Sequence, residues 1–373
     1  MEMKTMENIM EQLFHERNSS TSTQKIYLRS VGFYEQLTGH TIKECLDIAD
    51  DEEYNNIRWK NTQTRKWLIE YREYLYQKYN ISTAKLYLTA ITTVYRHFEI
   101  TIPPLPYYST KHLKHTPPIN YNDLLDRDII REAINISSPV VRAIILFLSS
   151  SGMSRIDAIH LTINDYLEAT SEYHDQHSSI KYAIRDMRDQ DIIPVFENLT
   201  RQKTGQEYFT FCSHEASKAI NEYILTRQET LHRDAPLFKI NERYFNMCFE
   251  RLNDTFQLGK VGNYNRLRPH MLRKYHATQL AEAGMSTDHI NLLQGRRIPG
   301  VAHEYYIKIK PDSLRDEYIN ALPYLVINET EKYKTELQTV QDENTILKTN
   351  IDNMLKRLDA LEEIRWEEVK KEY

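Results

Sequence analysis

The sequence predicts a mainly α protein with a small β-sheet in its larger domain (an α+β arrangement), an N-terminal helical bundle and a C-terminal coiled-coil helix. Apolar residues recur at helical spacing along most of the 373 residues, and glycine is scarce at 9 residues. Only two short runs of β-branched or aromatic residues have the pattern of strands. We therefore expect a bundle at residues 1–102, a linker at 103–120, a larger domain at 121–327 and a tail at 328–373.

Helical patterns fill most of the bundle. After a polar stretch at residues 1–20, which we expect to be frayed, a helix runs from Ser22 to near Gly39. A second helix runs from about residue 63 to 79, and Ser82 is expected to cap a third. The aromatic residues of these helices are expected to pack in the core of the bundle.

The linker at residues 103–120 is rich in proline and basic. Five of the twelve prolines lie in this region, and helix does not persist there. Lys111 and Lys114 make it basic, which favours a segment that crosses a phosphate backbone. On the second helix of the bundle, the basic residues expected away from the apolar stripe are Arg65, Lys66 and Arg72.

An arginine follows the most apolar helix of the larger domain. The helix at residues 139–149 is expected to be buried on most sides, a Ser-Gly turn ends it, and Arg155 comes three residues after Gly152. Arginine is seldom buried without a partner. Taken alone, Arg155 is most simply explained by a salt bridge to Asp157 or Asp165.

The two short strands are expected at residues 192–196 and 208–211. The segment between them carries Arg201 and Lys203 and contains Gly205, which favours a turn. We therefore expect a hairpin with these two cations near its tip. A lysine at the tip of a hairpin is usually only solvated.

The helix from Pro269 to Gly284 is the segment around which the other motifs are arranged. Its apolar residues form one stripe, and His270 and Arg273 lie three apart on the same side of the first turn. A helix N-terminus has unpaired N–H groups and a partial positive charge. With an imidazole and a guanidinium beside it, this turn is a candidate site for one phosphate. His-x-x-Arg is nevertheless a short pattern, and alone it is more often structural than catalytic.

The tail has a heptad pattern in which Glu and Lys fill most of the other positions. This pattern, sustained for about four heptads, predicts a coiled coil that associates with itself or with a partner. A single solvated helix is the alternative, although exposing so long an apolar seam is costly. Asn344 interrupts the seam and favours a specific register. The apolar seam residues are Tyr333, Leu337, Val340, Leu347, Ile351, Met354, Leu358 and Leu361.

Composition sets limits on the classes of function. No run of about 18 apolar residues indicates a membrane span, and the acidic, polar N-terminus does not resemble a signal peptide. The three cysteines have no metal-ligand spacing, and we expect a reduced, cytoplasmic setting with no metal or cofactor. A net charge of −5 argues only weakly against nucleic acid, because binding needs a local basic face.

Five short segments follow one another along the chain: Ser151-Gly-Met-Ser-Arg155, Arg201-Gln-Lys-Thr-Gly205, His270-Met-Leu-Arg273, Gln294-Gly-Arg296 and Glu304-Tyr-Tyr306. In this order they resemble the motifs of the tyrosine recombinase family, which includes phage integrases and Xer-type recombinases. The resemblance covers residues 20–325, and its hairpin and Gln-Gly-Arg motifs look most like archaeal integrases, including those of methanogen proviruses. Two positions depart from the family pattern: Gly-Arg stands where Gly-His is usual, and Ala158 stands where an acidic residue is common, with Asp157 one position earlier.

The resemblance implies a site-specific DNA recombinase that breaks and rejoins strands through a covalent 3′-phosphotyrosine, for integration or excision of a mobile element. It also implies a helical DNA-binding domain, a catalytic domain, double-stranded DNA as partner and a homo-oligomer, a tetramer on recombining sites. The implied catalytic residues are Arg155, Lys203, His270, Arg273, Arg296 and the nucleophile Tyr306, with Tyr305 as the alternative. The candidate DNA contacts are Arg65, Lys66, Lys111, Lys114 and Arg201.

Other functions remain open at this point. Within the same chemistry, the chain could be an Xer-type resolvase of chromosome dimers or a nicking and closing enzyme like type IB topoisomerases. A DNA-binding structural protein that kept the fold and lost catalysis is a different class, but it would not need the full set of catalytic residue types. A coiled-coil scaffold does not explain the hairpin lysine or the separated arginines.

Overall fold

The computed structural model of the protein describes residues 2–113, 117–296 and 311–328, together with scattered residues between 330 and 355. The chain forms two compact units, one ending at Pro118 and the other beginning at Ile119. The prediction of a mainly helical protein with a small sheet is confirmed. Within the described residues, no helix combines the length and the apolar character that crossing a membrane requires.

The first unit is a bundle of five helices around an aromatic core. The buried tyrosine hydroxyls of this core have hydrogen-bond partners. Those of Tyr34 and Tyr95 lie 2.9 Å apart, and that of Tyr71 lies 3.0 Å from the hydroxyl of Ser30. Since a buried hydroxyl without a partner is costly, these pairs let the core be built from tyrosine. The helices are α1 (Glu2–Glu16), α2 (Thr21–Thr38), α3 (Ile42–Tyr54), α4 (Gln63–Lys78) and α5 (Ile81–His97).

The structure corrects three expectations for this unit. Residues 1–20 are not simply frayed, because α1 occupies most of them and buries Met10 and Leu13 in the core. The cap of α5 is Asn80 rather than Ser82, since its side chain accepts the N–H of Thr83 at 2.9 Å. Arg72 is buried rather than on the surface, and its guanidinium donates to the carbonyl of Pro106 at 2.6 Å.

The chain that follows α5, including the start of the proline-rich segment, packs on the helices of this unit. Ile100 and Ile102 are buried in its core, and the ring of Tyr108 stacks on that of Tyr76 with centroids 5.3 Å apart. The Arg72 guanidinium lies 4.8 Å from the Tyr108 ring centre, a cation–π distance. These contacts hold the chain as far as Tyr108 to the bundle.

The second unit is built around α7, whose side chains are almost all buried. Its sequence is apolar on every side, Pro139 fits its first position, and Gly152 ends it with φ +61°. Helices α11 and α13 pack on it and complete the core. The helices of this unit are α6 (Arg127–Ile136), α7 (Pro139–Ser151), α8 (Arg155–His160), α9 (Ile163–Ala169), α10 (Ile180–Asp186), α11 (His214–Thr226), α12 (Glu242–Thr255), α13 (Pro269–Glu282), α14 (Thr287–Leu293) and α15 (Pro311–Leu325).

Two antiparallel hairpins accompany these helices. Strands β1 (Val195–Thr200) and β2 (Glu207–Phe211) pair with Val195 opposite Phe211, and an irregularity follows Phe196. This is the expected hairpin, although β1 begins three residues later and ends four residues later than predicted. A second hairpin, β3 (Lys260–Val261) with β4 (Tyr264–Asn265), was not expected, because strands of two residues carry no periodicity.

Helix α15 closes the second unit and leads into the tail. Tyr318 is fully buried against the ring of Phe211, and its hydroxyl donates to the carbonyl of Ser150 at 2.8 Å. The carboxylate of Glu215 accepts the N–H groups of Ile327 and Asn328, each at 2.7 Å, which fixes the point where the tail begins. Beyond it, the described seam residues, such as Tyr333 at 65% exposure, are uncovered in the single chain. The coiled coil stays a prediction.

Candidate active site

Helix α13 presents His270 and Arg273 on its first turn. Pro269 occupies the first helical position, where its fixed φ and missing N–H cost nothing. His270 is exposed, whereas Arg273 is only 5% exposed. The predicted apolar stripe is buried along the helix and holds this turn against α7. The two side chains therefore project from a rigid element.

Two backbone carbonyls hold the guanidinium of Arg273. Its Nη1 donates to Gly152 O at 2.8 Å and its Nη2 to Gln294 O at 2.5 Å. Burial and then the charges of Arg201 and Arg296 lower the pKa of Arg273 to about 10, so it stays charged at neutral pH. Because guanidinium has five donors, three N–H groups remain for another acceptor.

Hydrogen bonds of the Gln294 side chain connect the end of α14 to Arg273 and His276 of α13. The Gln294 side-chain nitrogen donates to the carbonyl of Arg273 at 2.9 Å and lies 3.0 Å from Nδ1 of His276. Complete burial, followed by the charges of Arg273 and Arg296, lowers the pKa of His276 to about 3, so the ring is neutral. A Cβ at Gly152 would lie 2.4 Å from His276 Nδ1, so only glycine fits this approach.

Asp157 connects α8 to the hairpin. One of its oxygens accepts the N–H of Gln202 at 3.0 Å, and the other accepts the hydroxyl of Ser154 at 2.7 Å. The hairpin turn is thereby held at Gln202, while the side chain of the next residue, Lys203, is exposed. Asp157, rather than Ala158, is therefore the residue that joins this helix to the hairpin. The Ser-x-x-Asp spacing, typical of a helix cap, was the sequence signal for it.

The turn after α14 brings Arg201 and Arg296 to the same place. Arg201 Nη1 donates to Gly295 O at 2.9 Å, and Arg296 follows that glycine directly. Gly295 has φ +58°, and a Cβ there would lie 2.8 Å from the Tyr208 ring. Burial, followed by the positive charge of Arg201, lowers the pKa of Arg296.

The imidazole of His270 faces several cations. The protein packed around the ring lowers its pKa, and Lys274, Arg268, Arg273 and Arg296 lower it further. The ring is therefore held as a neutral hydrogen-bonding group at neutral pH, although part of the residue reaches solvent. It joins Arg273, Arg296 and Arg201 in one cationic cluster at the N-terminal end of α13.

Arg155 makes different contacts from those expected. It pairs with neither Asp157 nor Asp165. Its Nη1 donates to Asn246 Oδ1 at 2.6 Å, and its Nη2 donates to the carboxylate of Glu242, both on α12. The sequence separation of these partners, 91 and 87 residues, left no local signal for the pairing.

The remaining candidates fall into two groups. Lys66 and Lys111 are exposed and Arg65 is half-buried, so all three reach solvent in the first unit. Lys114, Tyr305 and Tyr306 lie outside the described residues. The predicted nucleophile and its alternative are therefore not placed by the structure.

Comparison with known proteins identifies a family and a fold. Residues 125–310, which include both tyrosines, match the model of the phage integrase family. The Tn1549 transposon integrase in complex with circular intermediate DNA is 13% identical with a TM-score of 0.50, covering 84% of this chain and 98% of that one. A search of curated protein sequences finds no match.

Two further solved structures have lower TM-scores. XerA recombinase is 16% identical with a TM-score of 0.34, covering 85% of this chain and 98% of its own. XerH recombinase bound to its difH substrate is 16% identical with a TM-score of 0.44, covering 68% and 69% of the two chains. At these identities the likeness concerns the fold alone.

Proposed function

We propose, from the premise that this chain belongs to the phage integrase family of tyrosine recombinases, that its cationic cluster binds the scissile phosphate of a DNA strand. The proposed reaction breaks and rejoins the strand through a 3′-phosphotyrosine and serves integration or excision of a mobile element. The observation that carries the proposal is Arg273, which two carbonyls hold rigidly where α7, α13 and α14 meet.

The cluster suits the charge that develops in this reaction. Attack on a phosphodiester concentrates negative charge on its two non-bridging oxygens. Fixed donors aimed at such charge supply the largest part of many enzymes' catalysis, and planar guanidinium groups match paired oxygens. Arg273 and Arg296 are proposed to bind these oxygens, and the neutral ring of His270 to donate a hydrogen bond to the phosphate. Arg155 would bind the phosphate only if its guanidinium gave up the ion pair with Glu242.

Lys203 is proposed to be the general acid. Its side chain is exposed at the tip of the hairpin, next to Gln202, whose backbone N–H Asp157 holds, so the lysine itself can reach a bound strand. Protonation of the leaving 5′-oxygen would release the strand end, and the 5′-hydroxyl would later attack the phosphotyrosine to rejoin it. The covalent link conserves the energy of the phosphodiester, so rejoining needs no nucleotide.

Tyr306 is proposed to be the nucleophile, with Tyr305 as the alternative. The spacing to Pro311 favours Tyr306, because the nucleophile of archaeal integrases, which this segment resembles, lies five residues before the proline. Five residues span at most about 18 Å, so Tyr306 is tethered near the start of α15. Arg296 stands ten residues before Tyr306, so the segment that carries the tyrosine starts at the cluster.

The partner is proposed to be double-stranded DNA. The structures of the Tn1549 integrase and of XerH contain DNA, which supports the same partner for a chain of this family. In this proposal residues 1–102 form a DNA-binding domain, 103–120 a linker, 121–327 the catalytic domain and 328–373 a coiled coil. Arg65, Lys66, Lys111 and Lys114 would contact phosphates. Association through the tail would support a tetramer on recombining sites.

The proposal is tested with a duplex that the wild-type protein selects from a randomised pool. A nick placed near the cleavage site makes strand transfer irreversible, and a denaturing gel then detects covalent protein–DNA adduct. Tyr306→Phe should bind the duplex with unchanged affinity and form no adduct, because it lacks only the attacking oxygen. Tyr305→Phe is the matched control and should form adduct.

Three outcomes decide between the possibilities. Adduct from Tyr306→Phe but not from Tyr305→Phe moves the nucleophile by one residue. Adduct from both variants rejects both tyrosines. No adduct from the wild-type protein rejects the proposed reaction.

A further inference from the structure

Arg201 reaches the same stretch of backbone as Arg273. Its Nη1 donates to the carbonyl of Gly295, and Arg273 donates to the adjacent carbonyl of Gln294. Arg296 is the next residue along the chain. Three guanidinium groups, from the hairpin, from α13 and from the turn after α14, therefore converge on one turn.

The positive charge of this group is poorly balanced. Among the described residues, no carboxylate forms an ion pair with Arg201, Arg273 or Arg296. Asp157 acts on Arg273 through its charge, but its two oxygens already accept hydrogen bonds from Gln202 and Ser154. Like charges held together in a partly buried place repel one another unless an anion joins them. The arrangement is that of an anion site.

Arg201 has an open donor group. Its Nη2 makes no hydrogen bond to a described residue and is not enclosed by protein. Arg273 is almost fully buried and uses both terminal nitrogens on carbonyls. Both terminal nitrogens of Arg155 are engaged by Glu242 and Asn246. Arg201 therefore offers an incoming anion more accessible N–H groups than Arg273 or Arg155 does.

We infer that Arg201 is a phosphate-binding residue of the recombinase site, where its Nη2 donates to a non-bridging oxygen of the scissile phosphate beside Arg273. The inference rests on the proposed function. It differs from the sequence prediction, in which Arg201 is a DNA contact outside the catalytic set and Arg155 is the first catalytic arginine. It also means that the hairpin positions Lys203, because this lysine lies only two residues after Arg201 and would be placed near the same phosphate.

The test compares a natural phosphate with a methylphosphonate at the scissile position of the selected duplex, after wild-type cleavage has mapped that position. The methyl group replaces one charged non-bridging oxygen, and each diastereomer is measured separately by single-turnover adduct formation. Arg201→Ala should slow adduct formation on the phosphate by roughly 10²-fold, as expected for loss of one fixed donor to a developing oxyanion. On one methylphosphonate diastereomer the loss should shrink to less than about 10-fold, because the oxygen that Arg201 contacts is missing.

Two further variants separate phosphate binding from a structural role. Arg201→Gln keeps a donor for the carbonyl of Gly295 but lacks the charge, and it should be as slow as Arg201→Ala. Gln202→Ala is the matched control: its side chain is exposed, its backbone N–H still binds Asp157, and its rate should equal that of the wild-type protein.

The inference is overturned if Arg201→Ala loses the same factor on the phosphate and on both methylphosphonates, or if Arg201→Gln restores the wild-type rate. Either result would assign Arg201 to holding the turn. If the wild-type protein forms no adduct, the proposed function itself is rejected. If the wild-type protein forms adduct and Arg201→Ala forms it equally fast, only the inference about Arg201 is rejected.

Discussion

Single residues show how burial fixes protonation around the cluster. His276 contacts Gln294 through Nδ1, while its Nε2 is buried without a partner, and its pKa falls to about 3. A neutral ring is the form that can pack against Gly152 and beside Arg273 without adding another positive charge. The His276 ring thus fills the space beside the cationic cluster without adding to its positive charge.

This burial predicts a pH dependence of stability. Between pH 6.5, the ordinary pKa, and about 3, the unfolded chain protonates His276 and the folded chain does not. The free energy of unfolding should therefore fall as pH decreases from 6.5, by up to about 1.4 kcal/mol per pH unit from this residue. Urea denaturation at pH 7 and pH 5 measures the slope.

The His276→Gln variant should show a smaller loss of stability than the wild-type protein between these two pH values. His232→Gln, which replaces an exposed histidine, is the control and should keep the wild-type slope. Equal slopes for all three proteins would contradict the interpretation of His276.

Elements meet at turns that tolerate only glycine. The turn after α14 places the Gln294 and Gly295 carbonyls before two guanidinium groups, and it does so with a positive φ and with the Tyr208 ring against the glycine. A side chain there would have to push the hairpin strand β2 away from α14. The relative position of hairpin and helix is thus set by the absence of one Cβ.

Gly295→Ala should destabilise the second unit by about 2–3 kcal/mol, from the left-handed backbone and from the 2.8 Å approach to Tyr208 together. Gly259→Ala is the matched control, because it has a similar φ of +66° and nothing within 4 Å of the added Cβ. It should cost only about 1 kcal/mol. Denaturation followed by circular dichroism gives both values, and equal costs would show that the contact with Tyr208 is unimportant.

At the scale of the whole molecule, the described part of the tail has a seam that is uncovered in one chain. The described residues of the tail are helical, and its large apolar side chains at Leu337, Val340, Leu347 and Ile351 are more than half exposed. Surface of this kind is costly in water and favours association. Asn344 lies in the seam, with its side chain turned back to the carbonyl of Val340 at 2.8 Å.

Removing the tail after Asn328 should weaken self-association and leave cleavage of a single site intact. Ending the chain there keeps both N–H groups that Glu215 accepts, so the catalytic unit retains its last contact. Sedimentation measures the association, and the gel assay measures cleavage. An unchanged sedimentation profile would reject the coiled coil.

Within the full-length chain, Asn344→Leu should tighten the association and broaden its stoichiometry, because a polar seam residue costs stability and specifies register. Thr345→Leu adds the same apolar group off the seam and is the control.

The sequence by itself predicted the helical class, the hairpin, the helix carrying His270 and Arg273, and the motifs that resemble the family. These are local properties: apolar periodicity, strand-forming runs and short spacings are written in neighbouring residues. Only the tertiary structure decided which charges meet. The partners of Arg155 are Glu242 and Asn246, about ninety residues away, and Arg201 joins Arg273 through carbonyls that follow a different helix. Side chains so distant in sequence come together through the packing of α7, α13 and α14, and no short-range sequence pattern predicts this packing.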